Sequence, residues 1–276
     1  MPSYRTQLFT LCYNPLGFRG KYHVMISYFD EEHNKDSVSY NMDLYCSQTR
    51  DQHFLFTLEK SGIIVNDEEA RESKMLSLAH ECGKVLYPLE LLVDANGLVS
   101  GINNYKSIGQ RWSDLMPRLL YAYEGEIVQQ YISDTGFALA NKTLFSQIIS
   151  QDLFCNAFFA PLYRKYDYTL SGKMNFLFPV FPDYYPLNFK TEQFINPDQN
   201  PDKSFIEIKL VGKTMENVST TAFLNERDIL ENISASLSAI YVIEKQSGNI
   251  SSMKMDVEYL LYGLKSNIRI FIDSPI

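Results

Sequence analysis

The stretch Val85–Tyr123, VLYPLELLVDANGLVSGINNYKSIGQRWSDLMPRLLYAY, decides how the chain reads. Leu89, Leu91 and Val93 alternate with Glu90, Leu92 and Asp94, the period of a strand with one face more buried than the other. Asp94-Ala95-Asn96-Gly97 supplies turn chemistry, because Asn and Gly tolerate the positive φ of a tight hairpin. Leu98, Ser100 and Ile102 carry the return strand, and Asn103 or Asn104 can cap a helix beginning there. Ile108, Trp112, Leu115, Met116, Leu119, Leu120 and Tyr123 then recur at steps of three and four, one face of a helix. Pro117 inside that run is expected to kink or restart the helix, since it cannot donate to the preceding turn. A hairpin thus feeds an amphipathic helix that bears the only Trp.

Upstream, residues 4–61 read as a β-meander. A first strand over Tyr4–Tyr13 stops at Asn14-Pro15-Leu16-Gly17. Tyr22, Val24, Ile26 and Tyr28 share one face. The polar run Asp30–Asp36 is a hairpin loop, and Val38, Tyr40, Met42, Leu44 and Cys46 share the face of the return strand. Phe54–Leu58 is one more strand. Connections this short imply antiparallel neighbours. Asn66-Asp67-Glu68-Glu69 is expected to open a first helix, whose apolar side holds Met75, Leu76, Leu78, Ala79 and Cys82.

Downstream, a weak point at Gly125 and two further apolar runs make residues 104–160 a helical layer in two or three pieces. Strands resume at Lys165, with a turn expected at Ser171-Gly172. Phe205–Val211, Ala239–Ile243, Ile250–Tyr259 and Ile268–Ile272 read as strands, and Asn225–Glu231 as a short helix. Two hairpins, at Gly97 and Gly248, carry glycine in the turn. The expected fold is a single α+β domain over 1–276: strand-rich over 1–66, helix and hairpin over 67–103, helical over 104–160, strand-rich over 161–276. Its core is a large, curved antiparallel sheet packed against a central group of helices.

Composition bounds the function. A hydrophobic share of 45% is enough for a real core, and 14% aromatics favours strands and contact surfaces. A net charge of −8 lacks the basic footprint of a nucleic-acid binder. Cys12, Cys46, Cys82 and Cys155 show neither C-x-x-C nor dense disulfide spacing, and read as reduced, mostly buried thiols. The N-terminal residues lack signal-peptide character, and no apolar run reaches the ~18–20 residues of a membrane helix, so a cytoplasmic protein without membrane insertion is expected.

The run Pro88-Leu89-x-Leu91-x-Val93-Asp94-x-x-Gly97, followed by Ile108-x-x-Arg111-Trp112, is similar to a pattern in uncharacterised bacterial proteins and implies no activity. At the level of architecture, a curved sheet holding helices in its concave side resembles the lipoprotein-carrier half-barrels. Those carriers are exported, and this chain departs from them in showing no export signal.

Chemical motifs are sparse. Asp30, Glu31, Glu32 and His33 are adjacent on a hairpin tip, the pattern of a solvated acidic turn rather than of a cation loop. His80 and Cys82 lie two apart on a helix, so their side chains point about 200° apart and cannot pair. Glu124 and Glu126 flank a helix break at Gly125. Arg111 falls at a helix edge beside a core Trp112. With no zinc-hydrolase, nucleophile-elbow or phosphate-loop motif, no catalytic residue, metal or cofactor is assigned.

The strongest non-core signal is NFLFPVFPDYYPLNF, residues 175–189. Pro179, Pro182 and Pro186 each remove a donor, so the segment is an edge, a bulged strand or an ordered loop. Phe178, Phe181, Tyr184, Tyr185 and Phe189 are its candidate surface for a partner or an apolar ligand. The leading expectation is a non-enzymatic interaction or structural protein with a protein partner or self-association, as in a component of a larger assembly. One alternative is a carrier holding an apolar small molecule between sheet and helices. The other is an enzyme of unknown class.

Overall fold

The computed structural model describes residues 9–31, 35–50, 53–66, 68–69, 74–196, 204–223 and 227–274. In chain order the strands of the first half are β1 (Phe9–Thr10), β2 (Arg19–Phe29), β3 (Lys35–Arg50), β4 (His53–Val65) and β5 (Glu68–Glu69). Helix α1 (Lys74–Lys84) and the hairpin β6 (Leu89–Val93) and β7 (Val99–Ile102) follow. Four helices come next: α2 (Tyr105–Ala122), α3 (Glu126–Ala140), α4 (Lys142–Ser150) and α5 (Leu153–Phe158). The second half holds β8 (Lys165–Tyr166), β9 (Ser171–Phe178), β10 (Leu187–Asn196), β11 (Phe205–Lys213) and β12 (Val218–Thr221). It ends with β13 (Ile229–Glu244), β14 (Ile250–Leu261) and β15 (Leu264–Asp273).

Among the described residues thirteen strands form one antiparallel sheet, ordered β7-β6-β4-β3-β2-β15-β14-β13-β11-β10-β9, with β5 and β12 added at the side. Each half is a local meander, and the halves join where β2 pairs with β15. The inner face is apolar by strict alternation. Tyr22, Val24 and Ile26 on β2, Ile268, Ile270 and Ile272 on β15, and Met253, Met255 and Val257 on β14 are all buried.

The sheet is strongly curved, and two contacts prove it. Phe56 on β4 meets Phe159, just past α5, with ring centroids 5.2 Å apart. The Tyr241 hydroxyl on β13 donates to the carbonyl of Ala157, at 3.0 Å. β4 and β13 lie five places apart in the sheet, about 24 Å if it were flat at the usual ~4.8 Å spacing. Residues only two apart in the chain reach both strands, so the sheet wraps around α5. Phe154, Phe158 and Phe159 fill the space inside, with Phe158 set edge-on to Tyr22 of β2.

One end of this trough is closed by a tyrosine. The Tyr163 ring stacks on Tyr13, centroids 4.0 Å apart, and its hydroxyl donates to the Gly248 carbonyl at 2.7 Å. Both glycine turns singled out in the sequence rest against this ring. A Cβ on Gly97 would come within 2.7 Å of it, a Cβ on Gly248 would come within 3.2 Å of it and 2.6 Å of the Cys12 carbonyl, and both glycines have positive φ. Small size and left-handed backbone are therefore required at the same positions.

Several local expectations are corrected. Glu68–Glu69 does not open a helix but pairs with the end of β4, and α1 begins at Lys74; Asp67 lies outside the described residues. Helix α2 continues through Pro117. Pro117 and Ser113, whose carbonyl loses its donor, both face solvent, which leaves that carbonyl open to hydration. Asn104 occupies the cap position without capping: its side chain instead accepts from Glu90 N and donates to the Pro88 carbonyl. Ser171-Gly172 begins β9, and the turn lies earlier, where the Asp167 carboxylate accepts from Thr169 N and Ser171 N. The segment expected as a short helix over 225–231 enters β13 at Ile229; residues 224–226 lie outside the described set. The Tyr4–Tyr13 strand is limited, among described residues, to Phe9–Thr10.

The four cysteines are free, Cys12 exposed and the other three buried. Burial pushes the Cys46 and Cys82 thiols up to about 11, and Cys155 rises well above the usual thiol range. Because the thiolate is the reactive form, native protein at pH 8 should show one fast thiol to a disulfide reagent and four after unfolding. Fast native reaction of two or more would contradict the packing around β3, α1 and α5. A second expectation concerns the glycines. Gly97→Ala and Gly248→Ala should each cost roughly 1–3 kcal/mol in denaturant unfolding. Gly17→Ala, with positive φ but open space around it, should cost less. Equal losses at all three would show that backbone strain alone, and not the close contacts with the Tyr163 ring and the Cys12 carbonyl, sets the requirement.

Candidate functional site: an apolar cleft between the sheet edges

β7 and β9 are the two ends of the eleven-strand path, yet they line one cleft. Curvature has carried the open edges round until they face each other, with α4 and α5 between them. The cleft encloses about 530 Å³, within the ~300–1,000 Å³ range of small-molecule sites. Val99 and Ile102 come from β7, Phe176 and Leu177 from β9, Ile149 and Ser146 from α4, and Phe159 from the end of α5. Its polar members are mostly committed elsewhere. The Asn156 amide donates to the carbonyls of Ser150 and Asp152, and the Ser150 hydroxyl donates to Gln147 O.

Cys155 forms part of the wall. Its thiol is held protonated by burial and by the neighbouring Asp152 carboxylate, to which it hydrogen-bonds. That is the reverse of the activation a cysteine nucleophile needs. Asp152 also caps α5, its Oδ1 accepting from Cys155 N at 2.7 Å.

Beyond Asp152 the inner face turns polar. Lys60 follows Phe56 and Leu58 on the inward side of β4, opposite the buried Met42. Its ammonium sits 3.8 Å from the centre of the Tyr40 ring. Burial lowers its pKa, and the Asp152 carboxylate pulls it back up. The phenols of Tyr40 and Tyr87 stand well above their ordinary value, first through burial and then through the Asp152 charge. Tyr28, half-exposed at the rim, is raised for the same two reasons. Next to it, Gln151, Phe181 and Pro179 outline a smaller cavity of about 170 Å³.

The proline-rich segment divides between these places. Its prolines all fall in the loop from Pro179 to Pro186, between edge strand β9 and β10. Phe178 and Phe189 are fully buried on the inner face and offer no surface to a partner. Phe181 is half-buried, edge-on to Tyr259 and Tyr184. Tyr185 is exposed; its hydroxyl accepts from the Gln147 amide at 3.2 Å, and its ring meets Phe223. The segment thus borders the cleft through Phe176, Leu177 and Pro186, and those positions were legible only as part of an aromatic run.

The other sequence candidates are structural. Trp112 is buried against Gly136 of α3. The Arg111 guanidinium donates to the carbonyls of Val85, Leu86 and Pro88 and so pins the approach to β6. Cys82 packs in the core, and Gly125 separates α2 from α3. Of the acidic hairpin, Glu31 accepts from Lys265 N, while Glu32 and His33 lie outside the described residues. Among the described residues, no three His, Cys, Asp or Glu side chains converge as a metal site, and no helix is long and apolar enough to cross a membrane.

No family model matches the chain, and no curated protein matches it. A structural likeness exists to lipovitellin, in a structure titled "Lipid-protein interactions in lipovitellin", with a TM-score of 0.55 at 7% sequence identity. It covers 95% of this chain and 25% of that one, so the chain spans about a quarter of the lipovitellin length. At this identity the likeness concerns the fold: a large curved antiparallel sheet accompanied by helices.

Proposed function

We propose that the protein is a binding protein for an apolar small molecule, held in the cleft between β7 and β9. One observation carries this reading. A sheet that curls almost far enough to close leaves a slot of about 530 Å³, walled by Val99, Ile102, Ile149, Phe159 and Phe176 rather than filled. Apolar surface in such a slot gains about 25 cal/mol per Å² when a ligand removes it from water. The lipid–protein interactions named for lipovitellin are compatible with this use of a similar fold.

A second reading, a protein partner, is favoured by a different observation. Among the described strands β9 pairs only with β10, so its other side, beside the exposed Leu177, is open to a further strand. Tyr185, also exposed, lies on the same flank. Native mass spectrometry of freshly purified protein separates the two: a retained small mass supports the binding protein, a higher oligomer the partner reading.

The cleft reading is tested directly with the uncharged fluorophore N-phenyl-1-naphthylamine. Ser146 is exposed on α4 and lines the cleft, so Ser146→Trp fills the slot without burying a new group in the core. Wild type should bind the dye with a fluorescence gain, and Ser146→Trp should weaken binding at least about tenfold with unchanged thermal stability. Equal binding by both proteins, or none by wild type, would remove the cleft as a site.

A further inference from the structure

The slot between β7 and β9 is uncharged along its whole lining: none of the side chains that form its wall is an acid, a lysine, an arginine or a histidine. Its one titratable member, Cys155, is a buried thiol held protonated first by burial and then by Asp152. The charge that stands behind the wall is negative, since the Asp152 carboxylate accepts from Cys155 N at 2.7 Å. An anionic head drawn into the slot would lose its water and meet no cation, and a cationic one would meet no carboxylate in the lining.

Hydrogen-bonding capacity is as restricted as charge. The Ser100 hydroxyl donates to the Leu92 carbonyl and the Ser150 hydroxyl to that of Gln147, while Ser146 and Asn175 are exposed to solvent. Asn156 differs from all of these. It is half-buried, and its amide nitrogen donates to Ser150 O and Asp152 O, each at 2.8 Å. Two such bonds fix the plane of the amide against the α4–α5 junction, and among the described residues no protein donor reaches its Oδ1. An amide whose nitrogen is spent on backbone carbonyls offers only an acceptor. Resting on the reading of the slot as a binding site, we propose that its ligand is a neutral lipid bearing a hydroxyl group, of which a long-chain alcohol is the simplest. The tail lies along Ile149, Phe159 and Phe176, and the hydroxyl donates to Asn156 Oδ1. A carboxylate or an ether has no hydrogen to give and would set acceptor against acceptor.

Displacement of N-phenyl-1-naphthylamine at pH 8 tests this with 1-decanol, the size-matched ether 1-methoxynonane, decanoate and decylammonium. Wild type should bind decanol about fivefold or more tighter than the ether and about tenfold or more tighter than either ion. Ser146→Trp should weaken both neutral compounds, as expected of ligands in the slot. Asn156→Ala, its fold checked by near-ultraviolet circular dichroism, should abolish the advantage of the alcohol and leave ether affinity unchanged. Equal binding of alcohol and ether by wild type would overturn the hydroxyl assignment whatever the variant does, and an ion that matches the alcohol would overturn neutrality. An alcohol preference that survives Asn156→Ala, or an equal loss for alcohol and ether, would overturn Asn156 as the acceptor. Dye binding that none of the four compounds displaces would overturn the ligand class and leave the cleft standing. Failure of wild type to bind the dye or any of the four would overturn the cleft itself.

Discussion

A single aromatic ring holds the closed end of the molecule together. Tyr163 is gripped by the turn at Gly97, the turn at Gly248 and the stacked ring of Tyr13. The two turns belong to opposite halves of the sheet, β6–β7 and β13–β14, so the ring fixes how far the sheet curls at that end. Tyr166 repeats the device deeper in the second half. Its hydroxyl bonds Gln193, a fully buried glutamine on β10 whose amide donates to the Pro161 carbonyl. Hydroxyls paired to backbone allow large rings to be buried without stranding a polar group.

From that closed end the interior changes character along α5. Phe154, Phe158 and Phe159 fill the hollow of the trough, and the sheet wraps them tightly enough for Phe56 and Tyr241 to touch the same few residues. Toward the other end, Tyr28, Tyr40, Tyr87 and Lys60 replace the hydrocarbon. Lateral to both runs the slot left by incomplete closure. The site is thus a by-product of curvature: the same bend that packs the aromatic filling brings the two outer strands face to face.

The sheet was legible where alternation is clean. β2, β3, β4, β11, β14 and β15 announce themselves by period-two burial, and the Asn96-Gly97 turn by its chemistry. β10 was hidden, because Phe189 read as the tail of an aromatic cluster when it is the second inward residue of a strand spelled LNFKTEQFIN. The start of β13 was hidden by the polar run before it. Pro117 misled because the penalty for proline in a helix depends on whether the orphaned carbonyl can reach water, which sequence does not show. The candidate surface was half legible. The prolines pointed to an edge, a bulged strand or a loop, and they fall in the loop beside edge strand β9, but which aromatics face inward depends on register, and register buried Phe178 and Phe189. Lys60 gave no signal at all: it is one lysine in a strand, and only its parity with Phe56 and Leu58 turns it toward the interior.

The order of the strands carries a kinetic meaning. The ladder between β2 and β15 pairs Phe29 with Asn267 and His23 with Asp273, partners 238 and 250 positions apart. Nearly every other ladder of the sheet joins strands close in sequence, so each meander can assemble by short loop closures. The cost of closing a loop grows only as (3/2)RT ln n, and falls further once each half is compact. The helical stretch running from β7 to β9 spans the two free edges, so it holds the halves near each other while their inner strands find register. The seam in the middle of the sheet is thus the one ladder that short loop closures within either half cannot form.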